Sequence, residues 1–599
     1  MKNIHGAPQW NNHQEYPIFN LEFIQPHLND LESDIAPLIE ISNKIEKKAQ
    51  EDQFLIQELQ QHWPAFESFY EKARNLLTYC HCELSTNSQN LEIKKLYSII
   101  SKFTQKQQNS LSSIFLFIKE LSDVDFQFFL NHEETKSTEF YFLQQRALST
   151  FFLKKEEEQI IEKLANNGGI NAWGKMYTDL SAQLSFQLEG SDEATPISKA
   201  RSMMESSHEE TRKKTFEATQ KTWESFSDVA NYTLNNVAAW RNSIDQEKSK
   251  KGTYTFLTPA FHEACVQEKS IQSMFQAVKK VQPDLHKIIS VKATLLNKKQ
   301  CDAWDMSAGC PFKIEKDSYS FSEAIELIKN AFSEFSVELS DFVQLMVDQE
   351  WIDAAESPAR RPGGYCTSFS HSKTPRIFMT YTGSLSDITT LAHEIGHAYH
   401  SWVMKDLNLY EKHYPMTLAE TASVFCETLL RDYLSKHGSA DQKKLTLWSE
   451  LRAAEAFCLN IPTRYDFEKS FYEVSQKREL NSSETSDLME AAFQENYKDS
   501  YSSYNKLFWA SKLHFHTPDV RFYNFPYTFG YLFSLGLYSL KDSQSNFPEF
   551  YKKILRNTGK MTAEELCSKH LNLDLTQESF WEKSLTGVLR RLQELNEFT

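Results

Sequence analysis

The 599-residue sequence predicts a mainly α-helical fold carrying one small β-hairpin. Three observations lead there. Only 16 glycines and 17 prolines interrupt the chain, so long segments are free to be helical. Leu, Ile and Phe recur at helical spacing through residues 28–165, and helical patterns return over 197–300 and 439–512. β-prone residues gather in one short region, 363–381.

Taken in order, the N-terminus from Met1 to Asn20 holds one Lys and no apolar run, which does not read as a signal peptide. No window has eighteen apolar residues, and Tyr527 to Leu540 is too short to span a bilayer. A cytoplasmic protein without a membrane partner is expected. The formal net charge of -16 argues against nucleic-acid binding, which needs clustered Lys and Arg. Nine scattered cysteines read as reduced thiols. Ile114-Phe115-Leu116-Phe117-Ile118 reads as a buried segment. Asn166-Asn167-Gly168-Gly169 is a break, and a second break runs from Gly190 to Pro196. The expected domains are a helical part, 1–195, without chemistry of its own, and a second part, 196–599.

Tyr365 to Ser370 and Arg376 to Tyr381 are β-prone runs flanking a turn, His371 to Pro375. An edge strand there could pair with an extended peptide backbone with little regard to side chains. Gly364, Tyr365, Cys366, Thr367 and Ser368 are the candidate substrate-binding residues.

The next segment carries the chemistry. Ser386 and Asp387 are suited to cap a helix in which Ile388, Leu391, Ile395, Ala398 and Trp402 form an apolar stripe. That helix contains His393-Glu394-Ile395-Gly396-His397. Residues i and i+4 share a helix face, so both imidazoles can turn toward one metal ion, with Glu394 near enough to hold a water. Glu411, Glu420 and Glu427 are the nearest acids for a third ligand. The last two lie seven apart on a predicted helix after Pro415 and share a face. Further on, Asn524 and Pro526 suit the start of another helix, on which Tyr527, Tyr531, Ser534 and Tyr538 form one face. Phenol or imidazole groups suit the stabilisation of a developing oxyanion.

His393 to His400, followed by Ala419-Glu420-Thr421-Ala422-Ser423-Val424-Phe425-Cys426-Glu427, resembles the thimet oligopeptidase and oligoendopeptidase F family, nearest its oligoendopeptidase F branch. The resemblance extends to Gly363–Phe369, Pro375–Tyr381 and Phe522–Leu532. It implies two helical lobes enclosing a deep channel, residues 1–195 forming much of one wall. It implies one Zn²⁺ per chain held by His393, His397 and Glu420, with Glu394 as catalytic base. Glu427, and with it Asp387 and His400, would orient the imidazoles. His514, Tyr531, Tyr527 and Tyr523 would complete the site, with His516 competing for the role of His514. The implied function is endopeptidase action on short oligopeptides. A zinc carboxypeptidase is the alternative and needs a cation for the terminal carboxylate, for which Arg376 and Arg521 are candidates. A non-catalytic peptide-binding protein is expected to carry a damaged motif, and here every position is intact.

Overall fold

Helix dominates: the structure is 69% helical, and among the described residues there are two sheets, of two and three strands. The computed structural model describes residues 5–598 apart from 49, 317 and 543. The chain packs as two units that interleave along the sequence. One is Met1–Ser149, Glu315–Gly438 and Lys541–His570; the other is Thr150–Ile314, Ser439–Leu540 and Leu571–Thr599. This grouping differs from a linear division at residue 195. The reason is that apolar helix faces choose partners regardless of sequence distance. Tyr177, for example, donates its hydroxyl to the Ala510 carbonyl at 2.8 Å and stacks on His516 at 3.7 Å.

The first unit contains a long helix, α1 (Asp52–Thr86), packed on helices Ala36–Glu46 and Leu91–Glu120. Trp63, Phe66, Ile114, Ile118 and Phe142 are fully buried between them. The same unit holds the three-stranded sheet. Strands β1 (Ile352–Asp353), β2 (Tyr365–Phe369) and β3 (Thr374–Phe378) lie in the order β1-β3-β2. β2 and β3 are the expected hairpin, antiparallel from Tyr365↔Phe378 to Phe369↔Thr374. β1 runs parallel to β3 and leaves β2 at the edge. At two residues β1 is too short to show any periodicity.

The second unit is built on a 41-residue helix, Glu209–Ser249. Helix Glu268–Leu295 packs against Glu578–Leu592, and Glu578–Leu592 also packs on Phe525–Ser539. The break read at Gly190–Pro196 is the end of a two-stranded ribbon pairing Ser185–Gln187 with Ala194–Pro196. The helical run expected from Ile197 starts as two short pieces, Ile197–Lys199 and Ala200–Met204. Among the described residues no helix is long and apolar enough to cross a membrane.

Candidate metal centre

The motif lies on α2 (Leu385–Val403), in the first unit. Its N-cap is Ser384, one turn-start earlier than Ser386 or Asp387. Ser384 Oγ accepts from the Asp387 amide at 3.1 Å, and Asp387 Oδ2 accepts from the Ser384 amide at 3.1 Å, a capping box. Ile388, Leu391, Ile395 and Ala398 are all fully buried, as the stripe predicts, whereas Trp402 at its end is only partly buried. The opposite side of the turn carries His393 and His397.

α3 (Met416–His437) crosses α2 at Gly396. A Cβ on Gly396 would lie 2.6 Å from the Ala422 carbonyl oxygen and 2.6 Å from Ser423 Cα. Only a residue without a side chain lets the backbones approach this closely. The approach brings Glu420 against both imidazoles. His393 Nε2 and His397 Nε2 are 3.2 Å apart, and Glu420 Oε2 is 3.4 and 3.5 Å from them. Donors about 2.0–2.1 Å from a tetrahedral ion stand about 3.3–3.4 Å apart, so this triangle fits one ion with a position left open. No other convergent group of three His, Cys, Asp or Glu occurs among the described residues.

Two of the three donors, His393 and Glu420, are held from behind. The Nδ1–H of His393 donates to Glu427 Oε1 at 2.6 Å, which leaves Nε2 free to ligate. Arg431 pairs with the other oxygen of Glu427. Ser423 Oγ donates to Glu420 Oε2 at 2.6 Å. Burial pushes Glu427 up, but Arg431 and His393 outweigh it and hold the carboxylate below its ordinary range. Burial also opposes charge on His393, yet the Glu427 hydrogen bond and the surrounding carboxylates raise it to about 9. Burial and the charge on His393 lower His397 to about 4. Burial, aided by Glu420 and Glu427, raises Glu394 to about 7. Glu394 is 7% exposed, and its Oε2 has no hydrogen-bond partner.

The edge strand starts beside this carboxylate. A Cβ on Gly364 would lie 3.8 Å from Glu394 Oε1. Tyr365 is turned into the structure, its ring 5.3 Å from Phe378 and its hydroxyl 2.9 Å from Ser85 Oγ. Cys366, Thr367 and Ser368 border a cavity of about 570 Å³ whose other walls include Tyr70, Arg74, Tyr410 and Tyr414.

Two residues expected to orient the imidazoles do other work. Asp387 Oδ2 accepts from the Thr382 amide and hydroxyl at 2.9 and 2.7 Å, so its carboxylate closes the helix start. His400 is fully buried; its Nε2–H donates to the Leu555 carbonyl at 3.2 Å, and its ring stacks on Tyr414. Glu411 pairs with Lys560 at 2.8 Å, away from any ligand role. The two candidate carboxylate-binding cations are neutralised: Arg376 is fully buried against Glu15, and Arg521 takes both oxygens of Asp245.

The expected His and Tyr donors belong to the second unit. His516 is a core residue: fully buried, stacked on Tyr177, and bonded to the Trp509 carbonyl and Thr233. His514 is only partly buried, and its Nδ1 is 2.8 Å from Asn524 Oδ1. Asn524 occupies the cap position of α4 (Phe525–Ser539), but its side chain makes no cap bond. Instead Arg464 Nη1 donates to the same Oδ1 at 2.9 Å. The oxygen therefore faces His514, so the neutral imidazole carries its proton on Nδ1. Burial lowers His514, the nearby cations Arg464 and Lys512 adding to it, which favours the neutral ring. Its Nε2 is then an acceptor at neutral pH and a donor only when protonated. Tyr523 packs on His514 at 4.5 Å, and its hydroxyl is 3.3 Å from that of Tyr527. Tyr531 is 3% exposed and stacked on Phe457. Asn524 and Arg464 were not foreseen; nothing in their spacing marks them.

The model for peptidase family M3 matches residues 202–586. The chain is 25% identical over 335 residues to the chromosomal oligoendopeptidase F of Lactococcus lactis subsp. cremoris, covering 55% of this chain and 54% of that protein. The chain thus spans about half the length of that curated relative. It is 23% identical over 578 residues to an oligoendopeptidase F homolog of Borreliella burgdorferi, covering 93% and 94%. Among solved structures, a candidate peptidase from Chlamydophila abortus superposes with a TM-score of 0.82 at 21% identity, over 99% of this chain and 98% of that one. Oligoendopeptidase-F from Enterococcus faecium gives 0.70 at 18% identity, over 96% and 98%. At such identities these two likenesses bear on the fold alone. The family match extends over well more than half of the sequence and includes both histidines, Glu394 and Glu420: this chain belongs to peptidase family M3.

Proposed function

We propose that this protein is a zinc-dependent endopeptidase that hydrolyses internal bonds of short, unstructured oligopeptides. The observation that carries the reading is the donor triangle of His393, His397 and Glu420 beside a buried carboxylate, Glu394, with one unpartnered oxygen. Bound there, Zn²⁺ supplies Lewis-acid polarisation and lowers the pKa of a water. Glu394 takes the proton of the attacking water on a carboxylate oxygen and returns it to the leaving nitrogen. Burial raises the Glu394 carboxyl, which favours its taking up a proton. Glu427 keeps the His393 proton on Nδ1.

The edge of β2 pairs with the peptide backbone, and Gly364 keeps that backbone close to Glu394. As donors to the oxyanion we assign Tyr531, Tyr527 and Tyr523, with His514 adding a donor at Nε2 only in its protonated form. The names carried by the relatives support oligopeptides as the substrate class. Nine free cysteines suit a reducing compartment, the cytoplasm.

The test is a set of matched peptides of about five to twenty residues with both termini blocked, sharing one cleavage site. Internal cleavage that stops on chelation and returns with zinc is the expected result. Release of single C-terminal residues from unblocked peptides alone would overturn the endopeptidase assignment.

A further inference from the structure

The two arginines that the sequence offers for a peptide carboxylate, Arg376 and Arg521, both have carboxylate partners. Two cations of the second unit, Arg464 and Lys512, have none. Arg464 donates from Nε to Asn460 Oδ1 at 2.8 Å and from Nη1 to Asn524 Oδ1 at 2.9 Å, both neutral amides. Its Cζ is 5.2 Å from the centroid of the Phe508 ring, and Lys512 Nζ is 4.8 Å from the same centroid. Two positive charges therefore share one aromatic ring. Neither has an ion pair among the described residues, and neither Arg464 Nη2 nor Lys512 Nζ has a hydrogen-bond partner there.

This is unusual within the unit. Two buried cations of the unit meet acids, Arg212 pairing with Asp305 at 2.7 Å and Lys292 with Glu455 at 2.8 Å, and a third, Arg241, is instead bonded to the Tyr472 hydroxyl and the carbonyls of Thr517, Pro518 and Val520. It is also unusual in a chain with 81 acidic residues against 65 Lys and Arg. Enclosing like charges without a counter-charge is unfavourable. Burial, then Arg464 and Arg201, push Lys512 down to about 7, and burial pushes Arg464 down to about 10. A guanidinium whose Nη2 is unengaged, next to an ammonium, offers two charged donors to a carboxylate. The site adjoins the His and Tyr set, because Asn524 Oδ1 joins Arg464 to His514.

We propose that Arg464 and Lys512 form a subsite for a carboxylate of the bound peptide, an inference that rests on oligopeptides being the substrate. The carboxylate is either the peptide's C-terminus or an Asp or Glu side chain. The test measures dissociation constants by calorimetry on the full-length Glu394→Gln protein, which binds without turnover. One arm compares an octapeptide as free acid and as C-terminal amide. The other moves a single Glu along an amidated octapeptide, each against its Gln counterpart. Loss of the one recognised charge weakens binding about tenfold or more, and added NaCl shrinks the difference. A loss on amidation identifies the C-terminus, and a loss on Glu-to-Gln exchange identifies a side chain. Lys512→Met brings the difference to within about twofold, whereas Lys512→Arg, which keeps the charge, keeps it. Circular dichroism verifies that both variants are folded. Equal affinities in every matched pair overturn the proposal, as does a difference that Lys512→Met leaves intact. If the charge preference is found but the unsubstituted protein cleaves no peptide, the peptidase reading fails and the subsite stands. Cleavage of charged and neutral peptides alike has the opposite meaning.

Discussion

Replacing Gly396 by Ala tests how the metal donors are brought together. The added methyl meets the Ala422 carbonyl oxygen and Ser423 Cα, each at 2.6 Å, and both are backbone atoms of α3 that no rotamer change can move. Relief to an ordinary contact of about 3.5 Å requires α3 to retreat by about 0.9 Å. Glu420 retreats with it. Its distances of 3.4 and 3.5 Å to the two imidazoles then approach about 4 Å, too wide for a tetrahedral ion whose bonds tolerate about 0.2 Å. Overpacking costs about 1–3 kcal/mol, and replacing a helical glycine returns about 1 kcal/mol of it. Stability should thus fall by about 0–2 kcal/mol, while zinc affinity falls at least about tenfold. Competition with a fluorescent chelator measures the affinity, and a thermal melt of the metal-free protein measures the stability. Zinc affinity equal to that of the unsubstituted protein would refute the claim that this close crossing builds the site.

Glu427→Gln should weaken zinc binding by about 10–100-fold, because the carboxylate behind His393 loses its charge; equilibrium dialysis checks this. Tyr531→Phe should lower kcat by about ten- to a thousandfold with little change in KM, as expected of a donor used only in the transition state; an unchanged kcat with a lower melting temperature would make Tyr531 a packing residue. Burial holds His400 and His516 at about 3, below an unfolded value of about 6.5. The folded state therefore resists their protonation: stability is complete above about pH 6.5 and is lost as pH falls toward 3. Each histidine should remove about 2 kcal/mol between pH 6.5 and 5, and denaturant melts of His516→Gln should show a shallower loss than the unsubstituted protein.

Local chemistry was legible in the sequence, and partners distant in sequence were not. The spacing of His393 and His397, the shared face of Glu420 and Glu427, and the hairpin from Tyr365 to Phe378 follow from helix and strand periods alone. The start of α2 did not, because Ser386 and Asp387 look like caps in isolation. Ser384 wins by forming a reciprocal pair with Asp387, the same bonding that withdraws Asp387 from the imidazoles. His400 and His516 share an apolar environment that no spacing announces, and burial removes both from the chemistry. Arg376 and Arg521 looked available because Glu15 and Asp245 are 361 and 276 residues away. Gly396 was visible as part of the motif, but its function depends on the α3 backbone lying against it. The division into units is of the same kind, since residues after 150 take partners from the C-terminal third.

The most direct test of the central claim separates metal holding from proton transfer. Zinc content by mass spectrometry and turnover of a blocked peptide should be measured on Glu394→Gln and Glu420→Ala side by side. The account predicts one zinc per chain in Glu394→Gln with turnover down by about a thousandfold or more, and no bound zinc in Glu420→Ala. Turnover at the unsubstituted rate in Glu394→Gln, or full zinc in Glu420→Ala, would contradict it.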